Sequence, residues 1–379
     1  MNISVVGAGS WGSAVAWLLG TAGHEVRLWV RDSDLAASIN ATRHNARYLS
    51  DVELPSTVRA TAHLEEALEK TEAVILATPS TALPQMAERL AEQLAERLAG
   101  PAAEHAAGPA AEQAAGPAAE HAAEHAAGPT VGSRASTSSP TASGSTPVVL
   151  LSKGIERDSG QLLLDVLAER LGDPARLAVL SGPNHAEEVA RGVPSATVVA
   201  SASAQTAHFF QELFSTQAFR VYTSADTVGV QLCAAAKNVI AIACGLASGS
   251  GMGDNTLALL MTRGLAEIGR LVASGGGEQL TCMGLAGMGD LIATCTSPHS
   301  RNRGFGLELA AGGSLESYQQ RTHMVVEGAL ASAAITDLAR AHSVELPISE
   351  AVRAIVWEGQ VVEESLLSLL ARSPKPEFY

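Results

Sequence analysis

At 379 residues the chain is long enough for two domains and a sizeable buried core. With 46% apolar and 17% charged residues it reads as globular, and an aromatic share of 4% leaves Ala, Val and Leu to build most of the core. A net charge of −14 argues against nucleic acid or anionic membrane surfaces as partners, so an anionic small molecule must be held by a few local Lys and Arg residues.

The first element is a short apolar strand from Met1 to Val6 that runs into Gly7-x-Gly9-x-x-Gly12, followed by a helical pattern at Val15, Ala16, Leu18 and Leu19. This is the order a dinucleotide-binding turn needs. Gly7 allows the tight turn, Gly9 lets backbone N–H groups approach a pyrophosphate, and Gly12 lets helix and strand pack closely. The helix N-terminus adds unpaired N–H groups and partial positive charge for the anion. No Lys/Arg-led apolar segment precedes the strand, which speaks against a secretory signal. No uninterrupted apolar run reaches the roughly 18 residues of a membrane span, so the expected location is cytoplasmic, without stable membrane insertion.

Val26–Val30 is the second expected strand, ending at Arg31-Asp32. An acidic residue at that strand end takes the ribose 2′-hydroxyl of NAD. Arg31 holds the place here and suits a 2′-phosphate, although Asp32, one residue later, can still serve NAD. Further strands are expected at Ala73–Thr78, Val148–Leu151, Leu177–Leu180, Ala196–Ala200 and Phe219–Tyr222. Near-continuous apolar runs separated by helices predict a doubly wound α/β, Rossmann-like domain over residues 1–224, its parallel sheet covered on both faces. Between about 100 and 147, Gly-Pro recurs every eighth residue among Ala- and Glu-rich units, and a Ser/Thr/Pro tract follows. Gly-Pro stops helix propagation and little there can be buried, so this reads as a disordered insertion. His121 and His125 are four apart within it, but no fixed acidic or Cys partner makes them a metal site.

After Ser224 the pattern becomes helical: Val228–Leu246, Thr256–Ala273, Ser300–Ala311, Val325–Ala341 and Ile348–Trp357. The expectation is an all-helical domain carrying the substrate pocket over 225–371 with a tail at 372–379, and Gly-rich connections at Gly245–Gly253 and Gly284–Gly289. Cys233, Cys244, Cys282 and Cys295 lack C-x-x-C spacing and are expected to be buried free thiols in a reducing compartment.

Several residues carry possible chemistry. Lys153 follows a strand, at the end where open α/β sheets bind ligands. In Ser181-Gly182-Pro183-Asn184-His185-Ala186, Gly182 permits a turn, Pro183 suits a first helical position, and Asn184 offers an amide. His185 can act as a general acid, but capping or surface exposure is the commoner fate of such a His. Lys237 stands in the apolar stretch Gln231–Ala241 with no acidic residue three or four positions away. It must therefore snorkel or face a polar pocket, and burial would lower its pKa toward the range useful for proton transfer. Asp290 sits alone among Gly and apolar residues, and Ser300-Arg301-Asn302-Arg303 is the densest set of phosphate-compatible donors. Glu327 is a candidate ribose or amide contact.

In order, the Gly7–Gly12 turn, Ser152-Lys153-Gly154, Ser181–Ala186, Lys237-Asn238, Gly287-Met288-Gly289-Asp290-Leu291, Ser300–Gly306 and Val325–Gly328 resemble bacterial NAD(P)-dependent glycerol-3-phosphate dehydrogenases. The resemblance implies a homodimeric cytosolic enzyme that reduces dihydroxyacetone phosphate to sn-glycerol 3-phosphate for phospholipid synthesis, using NADPH or NADH as a dissociable cosubstrate and no metal. By this resemblance Lys237 is the proton donor and acceptor. Lys153, Gly182, Asn184, Lys237, Asp290, Ser300, Arg301 and Asn302 contact the substrate. Ser10, Trp11, Arg31, Lys153, Ala186, Arg301, Val325 and Glu327 join Gly7, Gly9 and Gly12 at the cofactor. Asn184 departs from the Ser or Thr often found there, and the 100–147 insertion lies outside the family pattern. The rival reading is a dehydrogenase of this plan acting on a β-hydroxy acid or nucleotide sugar. The Ser-Arg-Asn cluster favours a phosphate over a carboxylate.

Overall fold

The computed structural model describes residues 1–99, 146–157, 159–322, 325–371 and 373. The Gly-Pro repeat with His121 and His125, and nearly all of the tail from 372, lie outside them. The first half runs β1 (Asn2–Val6), α1 (Ser10–Thr21), β2 (Glu25–Trp29), α2 (Ser33–Thr42), β3 (His44–Asn45), β4 (Leu49–Glu53), β5 (Val58–Thr61) and α3 (Leu64–Leu68). It continues through β6 (Ala73–Leu76), α4 (Leu83–Ala99), β7 (Val148–Leu150), α5 (Leu163–Leu171), β8 (Leu177–Ser181), α6 (Ala186–Val189), β9 (Ser195–Ala200), α7 (Ala204–Phe214) and β10 (Phe219–Ser224).

Eight of these strands form one sheet in the order β10-β9-β8-β7-β6-β1-β2-β5. The expectation of a wholly parallel sheet needs correction, because β9 runs antiparallel to β8 while β10 is parallel to β9. The cause lies in the connection. Between β8 and β9 there is only a four-residue helix, α6, too short to carry the chain back to the start of the sheet. Along each central strand alternate residues serve opposite faces. Val74, Leu76, Val148 and Leu150 pack toward α4 and α5, while Ala73, Ile75, Val149 and Leu151 pack toward α1 and α7. The hairpin β3–β4 stands apart from the sheet.

From Thr227 the chain is helical: α8 (Thr227–Gly249), α9 (Asp254–Ser274), a π-helical turn (Leu285–Gly289), α10 (Asp290–Thr296), α11 (Arg301–Ala310), α12 (Leu315–Thr322), α13 (Glu327–Ala341), α14 (Pro347–Glu358) and α15 (Val362–Leu370). Every residue of α8 from Gly229 to Ala247 is buried, as befits a helix apolar on all sides. Its mean hydropathy and length would allow a membrane span despite Lys237, but the whole apolar window is enclosed by the fold. Its side chains belong to the same core as one face of the sheet, so the two halves share an apolar layer. Gly245 and Gly249 lie inside α8, not in the connection expected there. They let α11 approach: a Cβ on Gly245 would lie 2.1 Å from the Arg303 carbonyl oxygen, and one on Gly306 would lie 2.2 Å from that of Ile242. This close crossing fixes the start of α11, and with it Ser300–Asn302, against the middle of α8. All four cysteines are free and buried.

Candidate active site

The Gly-rich turn joins β1 to α1. Gly7 has φ +116°, and a Cβ there would lie 2.7 Å from the Ala77 carbonyl oxygen. A Cβ on Gly12 would lie 1.9 Å from the carbonyl oxygen of Gly7, so strand and helix meet only because both residues are Gly. Gly9 occupies the N-cap of α1 with no side chain capping the first turn, and a Cβ there would meet nothing within 4 Å. Unpaired N–H groups thus face open space, an arrangement that fits a dinucleotide pyrophosphate. Trp11 lies 6.5 Å from the Phe219 ring, and it also packs in a small cluster with Ala186 at the start of α6. The expectation that Pro183 opens that helix is not met: α6 begins at Ala186, with His185 at its N-cap. The His185 ring does not cap, and its Nε2 lies 3.3 Å from the Ala293 carbonyl oxygen on α10.

Arg31 is exposed just past β2 and makes no hydrogen bond or ion pair with the described residues. Asp32, the residue expected to be able to serve NAD, is engaged at both carboxylate oxygens. Its Oδ1 caps α2 by accepting from the N–H groups of Asp34 and Leu35, and its Oδ2 lies 3.1 Å from Arg47 Nη1.

Across the carboxyl ends of β6, β7 and β8 sits a buried cluster of charge. Lys237 is 4% exposed and Asp290 3%. Asp290 Oδ1 accepts from Lys237 Nζ at 2.8 Å and its Oδ2 from Lys153 Nζ at 2.7 Å. Lys237 Nζ also donates to Thr294 Oγ1 at 2.6 Å, and that hydroxyl donates to the Asp290 carbonyl. An ammonium has three N–H donors, so one remains for a ligand. Lys153 Nζ reaches the Gly182 carbonyl at 3.3 Å as well. Burial lowers the Lys237 pKa most strongly, Asp290 raises it, and Lys153 lowers it again, leaving it at about 8. Burial pushes Asp290 up, but the charges and hydrogen bonds of the two lysines hold it below the ordinary carboxylate range.

Glu327, the first residue of α13, accepts from Ser80 Oγ at 2.6 Å beyond the end of β6. Burial raises its pKa, which the Ser80 hydrogen bonds and the Arg301 charge only partly offset. A Cβ on Gly154 would come within 3.6 Å of the Glu327 carboxylate, so the Lys153 loop and the start of α13 converge. Val325 is half-buried just before α13.

The remaining predicted residues divide. Arg301 is exposed at the start of α11. Ser300 is buried and caps that helix through the Arg303 N–H. Asn302 instead ties three helices together: its Nδ2 donates to Asn238 Oδ1 at 2.9 Å and its Oδ1 accepts from the Gly328 N–H at 2.9 Å. Asn184 donates to the Ala196 carbonyl, and its Oδ1 is buried without a partner. Sequence reading missed Thr294, Ser80 and Arg47. Only Thr294 carried a signal, lying four residues after Asp290 and so on the same helical face.

A backbone-lined dinucleotide turn beside a buried Lys-Asp-Lys cluster, roofed by a helical second half, is the plan of a two-domain nicotinamide-dependent dehydrogenase. Comparison with known proteins narrows the class. The family described as NAD-dependent glycerol-3-phosphate dehydrogenase matches with its N-terminal part over residues 2–102 and 129–207, and with its C-terminal part over 226–367. Proteins named glycerol-3-phosphate dehydrogenase [NAD(P)+] from Nocardia farcinica (43% identical, 99% of each chain) and Chlorobium limicola (38% identical, 100% of each) are similar along their whole length. The crystal structure of glycerol-3-phosphate dehydrogenase from Coxiella burnetii superposes with a TM-score of 0.81 at 34% identity, over 98% of this chain and 99% of that one. The chain belongs to the NAD-dependent glycerol-3-phosphate dehydrogenase family.

Proposed function

We infer that this chain catalyses the reversible NAD(P)H-dependent reduction of dihydroxyacetone phosphate to sn-glycerol 3-phosphate, supplying phospholipid synthesis. The observation that carries the mechanism is Lys237: a buried ammonium with a pKa of about 8 and one unspent N–H, held in place by Asp290 and Thr294. When bound, the reduced nicotinamide supplies a hydride to the C2 carbonyl. Lys237 donates the proton that the developing alkoxide needs, a role worth roughly 10²–10⁴ in rate. Lys153 adds positive charge beside that oxygen, and Asp290 orients both ammonium groups. Arg301, with Ser300 and Asn302, anchors the substrate phosphate, Asn302 through the Nδ2 hydrogen left after its structural bonds. Gly182 and Asn184 border the substrate. Gly7, Gly9, Ser10, Trp11 and Gly12 hold the dinucleotide at the turn, with Ala186, Val325 and Glu327 along its length and Lys153 and Arg301 between cofactor and substrate. Arg31 takes the adenosine ribose end and favours NADPH. The working unit is a cytoplasmic homodimer, with residues 1–224 binding the cofactor and 225–371 the substrate and the partner subunit.

The direct test is oxidation of NADPH and of NADH by the purified chain with dihydroxyacetone phosphate, followed by loss of the nicotinamide absorbance. Turnover with this substrate and none with a β-keto acid is expected. The reverse preference would move the chain to the rival reading.

A further inference from the structure

The hairpin β3–β4 has no place in the sheet, yet it is fastened to the dinucleotide turn. Asn45 Nδ2 donates at 2.8 Å both to the Ala8 carbonyl inside the Gly-rich turn and to Ser13 Oγ on α1. Its Oδ1 accepts from the Tyr48 N–H at 3.3 Å, so the same buried side chain fixes the short connection that carries Arg47. Arg43 at the end of α2 accepts from the Leu54 N–H at 2.7 Å and closes the base of the hairpin. Arg47 is thereby delivered to the end of β2, where its Nη1 lies 3.1 Å from Asp32 and its side chain remains 55% exposed. Two arginines, Arg31 by its place in the chain and Arg47 by its contact with Asp32, thus stand at the strand end where an adenosine ribose binds in this fold. A guanidinium has five N–H donors, so the Asp32 contact leaves most of those on Arg47 available.

Asp32 explains why the second arginine matters. Alone, a carboxylate there would accept a ribose 2′-hydroxyl and repel a 2′-phosphate. Its Oδ1 is already spent as the α2 cap, and Arg47 occupies Oδ2. We propose that Arg47 is a specificity-determining residue: with Arg31 it forms a receptor for the 2′-phosphate of NADPH, and by pairing with Asp32 it offsets the negative charge that would otherwise repel that phosphate. This rests on the reading of Arg31 given above and extends it to a residue on a different element.

The test separates the two. Calorimetric titration of the full chain with adenosine 2′,5′-bisphosphate and with adenosine 5′-monophosphate reads 2′-phosphate recognition without catalysis. The unaltered chain should prefer the bisphosphate, and Arg47→Ala should cut that preference about 10- to 100-fold, the usual loss for a charge-assisted hydrogen bond. Arg47→Lys, which keeps the charge but not the fork, should fall between. If Arg31→Ala abolishes the preference while Arg47→Ala keeps it, the Arg47 proposal fails and the Arg31 reading stands. Equal weakening of both nucleotides by Arg47→Ala also overturns the proposal, since the hairpin would then merely support the turn. An unaltered chain that binds both nucleotides alike sinks both.

Discussion

The Gly-rich turn and the Lys237–Asp290–Lys153 cluster are both built to handle negative charge, by opposite means. The turn uses main-chain N–H groups aimed at open space, with no titratable side chain in its first helical turn. It needs no compensating charge and is indifferent to pH, and a side chain can harm it chiefly by occupying space. The cluster uses three charged side chains, Lys237 and Asp290 taken almost wholly out of water and Lys153 half-buried, where each depends on the others. Two ammonium groups share one carboxylate, so the cluster holds a net positive charge ready for an anion. What the contrast teaches is where sensitivity lies: steric at the turn, electrostatic at the cluster.

The sharpest way to break that contrast is Lys237→Ala. It removes the proposed proton donor and leaves Asp290 still paired with Lys153, so kcat should fall about 10²–10⁴-fold while NADPH affinity measured by fluorescence titration stays within a few-fold. Next is Asp290→Asn, which leaves the buried Lys237 and the half-buried Lys153 without the carboxylate they share. Loss of one partner from a buried ion pair costs about 3–5 kcal/mol, to be read from urea unfolding midpoints. The same variant should lower the Lys237 pKa further, because the Asp290 charge raises it in the native chain. A related pH effect has a defined sign. The folded Lys237 pKa of about 8 lies below the ordinary lysine value of 10.5, so the unfolded chain binds more protons between those values. The penalty this group imposes on the fold is therefore full below pH 8 and relieved as pH rises toward 10.5. At the turn the smallest change suffices: Gly12→Ala puts a methyl group 1.9 Å from the Gly7 carbonyl oxygen. Overpacking of this kind costs about 1–3 kcal/mol, and cofactor affinity should fall with no change in the pH dependence of turnover.

The same contrast governs how much could be read from the sequence. The turn consists of six adjacent residues whose types and spacing carry the mechanism, and the central strands announce themselves as apolar runs. Lys237 was conspicuous because nothing near it in sequence could pair with it. Its partner, however, is 53 residues away and the second lysine lies 137 residues from that same carboxylate, a convergence that no local pattern encodes. The helix carrying Asp290 and Thr294 is seven residues long and follows a Gly-rich turn, too brief for a helical period to emerge. The reversal of β9 was hidden for a related reason: an apolar strand reads alike in either direction, and only the short α6 connection decides it. Asn302 was legible as a polar group beside Arg301, but its structural bonds to Asn238 and Gly328 depend on how three helices cross.

If Lys237 carries the proton in both directions of the reaction, the pH dependence of kcat/KM must show it. With saturating NADPH, reduction of dihydroxyacetone phosphate should decline as pH rises through about 8, the pKa of Lys237, because the donor loses its proton. With saturating NADP, oxidation of sn-glycerol 3-phosphate should rise through the same pH, because the base is then free. Profiles that are flat across this range in both directions, or that bend the same way in both, would contradict the assignment.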